Sequence, residues 1–354
     1  MTLKAPFPWF GGKSRVQDMV WGYFGNVRNY VEPFAGSLAV LLGRPTIEGT
    51  ETVNDMDCYV ANFWRAIAAD EEGVAHHADW PVNEADLHAR HLWLVNQMEF
   101  RERMKTEPDF FDVRVAGWWV WGISCWIGGG WCAVREKPWQ QRPHLVPNAG
   151  GQGITAAVAK RRPMLHPGKA GCGMRQKLFG VSIRIPDVYA KGAKGVHGVE
   201  VRDELLEWFG AIRDRMRAVR VCCGDWKRVL GDTPLGLTSN VSESFKTAVF
   251  LDPPYAHDVR DPYLYAQDNK AISADVRTWA LAHGDDPRLR IALCGYEGEH
   301  QMPDTWDCVA WKAAGGYGNR TGNDNATKER IWFSPHCLRP ERDRELFDLK
   351  EVVA

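Results

Sequence analysis

A chain of 354 residues, 45% hydrophobic and 25% charged, can fill the core of one large domain or two ordinary ones, which makes it globular. No apolar run reaches the ~18 residues of a membrane span, and Met1 to Trp9 lacks the charged start, apolar stretch and small-residue cleavage site of a signal peptide, so a cytoplasmic protein is expected. The net charge of −1 averages two opposite regions: residues 135–194 hold twelve Lys/Arg against two acids, a balance of +10, which leaves −11 for the rest.

In chain order, Asn29 to Phe34 reads as a short apolar strand running into Ala35-Gly36-Ser37, with Leu38 to Leu42 continuing as helix. Glu51 to Asn54 is a second strand. A helix follows from about Asp57 to Ala69, with Val60, Phe63, Trp64 and Ile67 on one face. Helical patterns then cover Glu84 to Lys105 and Phe111 to Trp126. From Pro138 to Lys194 the chain is rich in Gly, Pro, Lys and Arg with little periodicity, a loop composition.

Order returns with an amphipathic helix from about Glu200 to Arg217, whose apolar stripe is Val201, Leu205, Phe209, Ile212 and Met216. Strands are expected at Val219 to Cys223, Thr247 to Leu251, Leu289 to Cys294, and near Asp307 to Trp311 and Arg330 to Phe333, with a helix near Ser273 to His283. Alternation on both sides of an insertion implies one parallel-rich α/β sheet built from two chain segments. The expected division is 1–75 with 218–338 as the sheet domain, 76–217 as the insertion and 339–354 as a charged tail. The nine cysteines are scattered, with no zinc-type spacing, so free thiols and no metal site are expected.

The strongest local signal is Ala248 to Tyr255, where a buried apolar strand stops at Asp252-Pro253-Pro254-Tyr255. Ligands of open α/β sheets bind at the carboxyl ends of strands. Two prolines stiffen the backbone there and remove two donors. The Asp252 carboxylate could accept one hydrogen from a base amine and the Pro253 carbonyl the other, turning the nitrogen lone pair toward an electrophilic methyl group. Tyr255 supplies a stacking face. Taken alone, the tetrapeptide has an ordinary strand end with a proline turn as its weaker alternative.

Other strand ends add to it. After the first strand, Gly36 lets the backbone approach a ligand closely. Asp55 could accept ribose hydroxyls, although a helix N-cap explains Asp55 or Asp57 as well. Asp225 could meet an adenine amine and Trp226 cover a purine, with a core Trp beside a cap as the alternative. Near the N-terminus, Pro8 to Lys13 joins an aromatic, a Gly pair and a cation.

With these five segments in order, WFGGK at 9–13, EPFAGS at 32–37, NDMD at 54–57, GDW at 224–226 and DPPY at 252–255, the chain resembles the Dam-like class of DNA adenine-N6 methyltransferases. The resemblance covers about 1–75 and 218–335. It implies a Rossmann-like class I methyltransferase sheet with helices on both faces, plus an inserted, mainly helical and loop target-recognition domain. It also implies S-adenosyl-L-methionine as cofactor and direct methyl transfer to a flipped adenine in double-stranded DNA. On this resemblance Trp9 and Lys13 contact the cofactor, Glu32, Pro33, Phe34 and Gly36 line its methionine end, and Asp55 holds its ribose. Asp225 and Trp226 hold its adenine, and Asp252 bridges cofactor pocket and target amine. Ile291 to Tyr296 resembles the strand that walls the target pocket. Trp226 stands where the family more often has Phe or Tyr, and Gly315 to Thr327 has no residue-by-residue counterpart.

The basic insertion is expected to neutralise phosphates, with Arg142, Arg161, Arg162, Arg175 and Arg184 as candidates for base edges and solvated loop charge as the alternative for each. Of the clustered tryptophans 118, 119, 121, 126, 131 and 139, most are assigned to a small core of the insertion's own, with Trp131 and Trp139 the candidates for DNA contact. Cytosine-C5 methylation is disfavoured because no Pro-Cys dipeptide occurs. Cytosine-N4 methylation and a non-enzymatic DNA-binding protein that retains the fold are the alternatives. Work at the nucleoid or in a phage-infected cytoplasm, as in restriction-modification, fits the resemblance, and a partner nuclease is left open.

Overall fold

Seven strands form one sheet in the computed structural model, which describes residues 3–7, 9, 12–81, 83–125, 131–132, 199–238, 242, 244–255, 271–312 and 327–340. They are β1 (Asn29–Glu32), β2 (Thr50–Asp55), β3 (Val219–Cys223), β4 (Thr247–Leu251), β5 (Leu289–Tyr296), β6 (Asp307–Ala310) and β7 (Glu329–Phe333), in the spatial order β3-β2-β1-β4-β5-β7-β6. The first five in that order run parallel, and β7 is antiparallel to both β5 and β6.

Side chains of a strand alternate between faces, and each face of this sheet carries its own core. Tyr30, Ala248, Phe250, Ala292, Cys294, Ile331 and Phe333 point into the larger one. Val31, Val249, Leu251, Ile291, Leu293 and Trp332 point into the smaller. That double burial is why β4 reads as an unbroken apolar run.

The helices are α1 (Gln17–Phe24), α2 (Ala39–Leu42), α3 (Cys58–Ala69), α4 (Glu71–Ala78), α5 (Glu84–Val95), α6 (Met98–Thr106), α7 (Val113–Cys125), α8 (Val199–Met216), α9 (Asp232–Leu235) and α10 (Ile272–His283). Helices α1, α3, α7 and α8 bury Val20, Phe24, Phe63, Trp64, Trp119 and Phe209 in the larger core, and α10 buries Val276 and Ala280 in the smaller. The pattern from Glu84 to Lys105 is two helices. At Asn96 and Gln97 the backbone N–H groups bond three residues back, to Trp93 and Leu94, tightening the turn that ends α5. Asn also disfavours a helix interior, because its side chain competes for nearby backbone groups.

The tryptophan expectation needs correction. Trp119, Trp121 and Trp131 lie in the same core as the sheet's own side chains, not in a separate core of the insertion, and Trp118 packs against it. Trp131 is 7% exposed, donates its indole N–H to the Trp119 carbonyl at 3.0 Å and covers Gly122, so it is a packing residue. It stands close to the glycine run, but Gly122 and the Trp119 carbonyl on α7, with the His91 ring 5.3 Å away on α5, claim the indole. Trp126 and Trp139 lie outside the described residues.

A second buried cluster stands at the start of β2. Glu51 takes Arg44 Nη1 at 2.9 Å and Arg215 Nη1 and Nη2 at 2.6 and 2.7 Å, tying α8 and the loop after α2 to the sheet. The described cysteines are free thiols. Among the described residues no helix is long and apolar enough to cross a membrane, and no group of His, Cys, Asp or Glu could hold a metal ion.

Candidate active site

Parallel strands gather their carboxyl ends on one edge of a sheet, and each of β1 to β4 there ends at or runs into an acid: Glu32, Asp55, Asp225 and Asp252. β7 runs the other way, so its first residue, Glu329, reaches this edge and pairs with Tyr296 at the end of β5.

Asp252 is held from the N-terminal side of the chain. Lys13, in a 3₁₀ turn (Lys13–Arg15), places Nζ 2.9 Å from Asp252 Oδ1 and donates to the Tyr255 hydroxyl at 3.0 Å. Burial alone would push the Lys13 ammonium down, but the Asp252 carboxylate, with Cys294 and Glu329 beyond it, outweighs burial and keeps the amine charged far above neutrality. The Tyr255 hydroxyl donates to Glu329 Oε2 at 2.8 Å and lies 3.3 Å from Asp252 Oδ1. Its ring, expected as a stacking face, is buried edge-on against Tyr296, with centroids 4.7 Å apart. Burial first, then the charges of Asp252 and Glu329, raise the Tyr255 phenol well above its ordinary range.

The second half of the site is built on β1 and β2. Glu32 is buried, receives the Tyr30 hydroxyl at 2.8 Å and is raised well above the carboxylate range, chiefly by burial. Asp55 accepts the Gly36 N–H on Oδ2 and the Asp57 N–H on Oδ1, both at 2.9 Å. Lost solvation, then the neighbouring Asp57 charge, lift its carboxyl to about 7. Of the two acids that could have capped α3, Asp57 is the cap, accepting the Tyr59 N–H at 2.8 Å.

Gly36 sits at φ +45°, and a Cβ there would come within 2.4 Å of the Trp9 indole nitrogen. Its carbonyl accepts the Trp64 indole N–H at 2.9 Å. Trp9, Gly36 and Asp55 are thereby brought together. Phe34, after β1, and Trp226, after β3, face each other with ring centroids 6.0 Å apart. Trp226 is 4% exposed in the smaller core, and exposed Asp225 caps a short 3₁₀ turn through the Lys227 N–H at 2.8 Å. Arg142, Arg161, Arg162, Arg175 and Arg184 lie outside the described residues.

Two members of this site were not singled out from the sequence. Asn54 donates its amide to the Pro33 carbonyl at 3.1 Å and the Gly224 carbonyl at 2.9 Å, joining the ends of β1 and β3. Glu329 is 3% exposed at the tip of β7. In the sequence it is an acid shortly before the apolar run Ile331 to Phe333, in the segment Lys328 to Phe333 where the resembled family has a strand and loop near the target.

A mixed seven-stranded sheet of this order, helices on both sides and acids at its carboxyl edge, is the Rossmann-like fold of a methyltransferase. Residues 9–112 match the family described as D12 class N6 adenine-specific DNA methyltransferase, and this likeness supports an enzyme that methylates adenine N6 in DNA. The matched segment holds Trp9, Lys13, Glu32 to Gly36 and Asp55. No curated protein matches the chain. The match is specific to adenine N6, and nothing favours the cytosine-N4 or non-enzymatic alternatives.

Proposed function

We propose that this enzyme takes its methyl group from S-adenosyl-L-methionine and delivers it to an adenine turned out of double-stranded DNA, with Asp252, Pro253, Pro254 and Tyr255 as the catalytic loop. The observation that carries this reading is the Asp252 carboxylate, fixed by Lys13 at 2.9 Å on the sheet edge that also bears Asp55 and Gly36.

The residues suit the cofactor. Each Asp55 oxygen accepts one backbone N–H and keeps capacity for a ribose hydroxyl. Gly36 leaves a cradle beside Trp9 that any side chain would fill. Glu32, Pro33 and Phe34 would line the methionine end, with Lys13 between it and the base, and Asp225 and Trp226 would flank the adenine. Bound there, the cofactor supplies an electrophilic methyl group.

The chain's own work is positioning. The Asp252 carboxylate and the Pro253 carbonyl take the two amine hydrogens and direct the nitrogen lone pair, and Asp252 stabilises the charge that develops on nitrogen. No covalent enzyme intermediate is formed.

Residues 1–75 and 218–338 would form the catalytic domain and 76–217 the target-recognition region. The basic stretch would neutralise phosphates, with Arg142, Arg161, Arg162, Arg175 and Arg184 reaching toward bases. Expression in a methylation-free host followed by mass analysis of the DNA nucleosides tests the reading. N6-methyladenine is expected from the wild type and none from Asp252→Ala. N4-methylcytosine, or undiminished methylation by the variant, would overturn it.

A further inference from the structure

We infer that Glu329 is a positioning residue that takes up, through the Tyr255 hydroxyl, the proton which the adenine amine sheds on methylation. This rests on the function proposed above. When a neutral amine gains a methyl group, an N–C bond forms and nitrogen is left with one hydrogen too many. An N–H bond must then break, its electron pair staying on nitrogen and the proton passing to an acceptor.

Asp252 is the first acceptor, since it holds the amine. A proton left there would break the ion pair that Lys13 makes with this carboxylate at 2.9 Å. Lys13 is already a full ammonium and can accept nothing. Tyr255 offers the way out. Its oxygen stands 3.3 Å from Asp252 Oδ1, and its O–H already points at Glu329 Oε2, 2.8 Å away. As the Asp252 proton moves onto the phenol oxygen, the phenol proton moves onto Glu329. Tyr255 ends neutral, Asp252 is again a carboxylate, and Glu329 carries the proton.

The surroundings of Glu329 suit it to hold that proton. It is 3% exposed, and burial raises its carboxyl above the ordinary range, with Lys13 opposing and Asp252 adding to the rise. The groups that face it are Lys13 from the N-terminal turn, Asp252 and Tyr255 after β4, Cys294 and Tyr296 on β5, and Glu299 in the turn beyond. The antiparallel course of β7 brings the Glu329 carboxylate to the edge where the parallel strands end.

Glu329→Gln keeps an oxygen for the Tyr255 hydroxyl but cannot take a proton. Two measurements on the full chain test the inference. Infrared titration without methyl donor or DNA should show a carboxylic acid band titrating above the usual glutamate range, missing in Glu329→Gln. Single-turnover methylation of DNA from a methylation-free host should speed up with pH through that same titration in the wild type. Glu329→Gln should lose this limb and run about 10²-fold slower, with DNA binding unchanged.

If Glu329→Gln does not fold, Tyr255→Phe breaks the same path and must also lose the limb. Absence of the infrared band, or a wild-type rate and profile in the variant, overturns the inference while leaving the enzyme's function intact. A wild type that transfers no methyl group overturns the proposed function, and this inference with it.

Discussion

Lys13 Nζ and Asp252 Oδ1 form an ion pair 2.9 Å long, the lysine side chain 4% exposed and the aspartate 19%. It fastens the short 3₁₀ turn Lys13–Arg15 to the loop after β4, so the carboxylate proposed to orient the target amine is held by a residue from the far end of the sequence. Lys13→Met keeps the stem and removes the charge, leaving Asp252 without its cation. Methyl transfer is expected to fall by about 10²–10³-fold, the scale for losing one preorganised electrostatic partner. Single-turnover rates measured beside thermal melts check this, and an unchanged rate in a folded variant would remove Lys13 from the mechanism.

Gly36→Ala should weaken methyl-donor binding while sparing the fold. The residue holds φ +45°, and the new Cβ would stand 2.4 Å from the Trp9 indole nitrogen. A left-handed conformation costs a non-glycine residue about 1–2 kcal/mol, and displacing Trp9 adds to it. That strain falls on the folded chain with or without ligand and lowers stability; the loss of affinity comes from the displaced Trp9, and calorimetric titration should read it as about tenfold, or 1.4 kcal/mol. Equal affinities for variant and wild type would sink the cradle.

Asp55 predicts opposite pH trends for stability and for binding. With its carboxyl raised to about 7, the folded chain keeps a proton that the unfolded chain has lost above about pH 4. The unfolded state then binds fewer protons, so this contribution to stability declines as pH rises from about 4 to about 7. Binding of the methyl donor should strengthen through the same upper limit, because the ionised carboxylate accepts hydroxyl hydrogens more strongly. Asp55→Asn should flatten both curves. Melting temperatures and donor affinities across this range are the measurements, and a wild-type affinity independent of pH would contradict the ribose role.

Glu51→Ala should cost stability and leave chemistry alone. Glu51 compensates Arg44 and Arg215, whose side chains are 2% and 4% exposed, and stands at the opposite end of β2 from Asp55. Removing the shared carboxylate strands two buried cations, at about 3–5 kcal/mol. Denaturant melts should shift accordingly, while the rate per folded molecule stays at wild type. A loss of rate beyond the folded fraction would mean that the cluster reaches the site.

Much of the fold was legible in local pattern. β3 and β4 begin and end where their apolar runs do, and α3 begins after the acid that caps it. These features depend on neighbours along the chain: period, capping and the stop imposed by proline. Where a second strong local signal competed, the pattern misled. Asn96 breaks what reads as one helix into α5 and α6, and Trp131 looks like a loop aromatic but is claimed by Gly122 on α7.

The five segments from Trp9 to Tyr255 and their order, and with them the class of chemistry, were determined by the sequence itself, because each is a short run of chain whose residues act together. Which acids share a site was decided only by tertiary structure. Nothing local distinguishes Glu329 from any other exposed-looking acid, or Asn54 from an ordinary strand-end amide. Glu329 joins Tyr255 because β7 runs against its neighbours and delivers its first residue, not its last, to the edge where the parallel strands end. Strand direction is a property of pairing between distant segments, and no periodicity within five residues of chain encodes it.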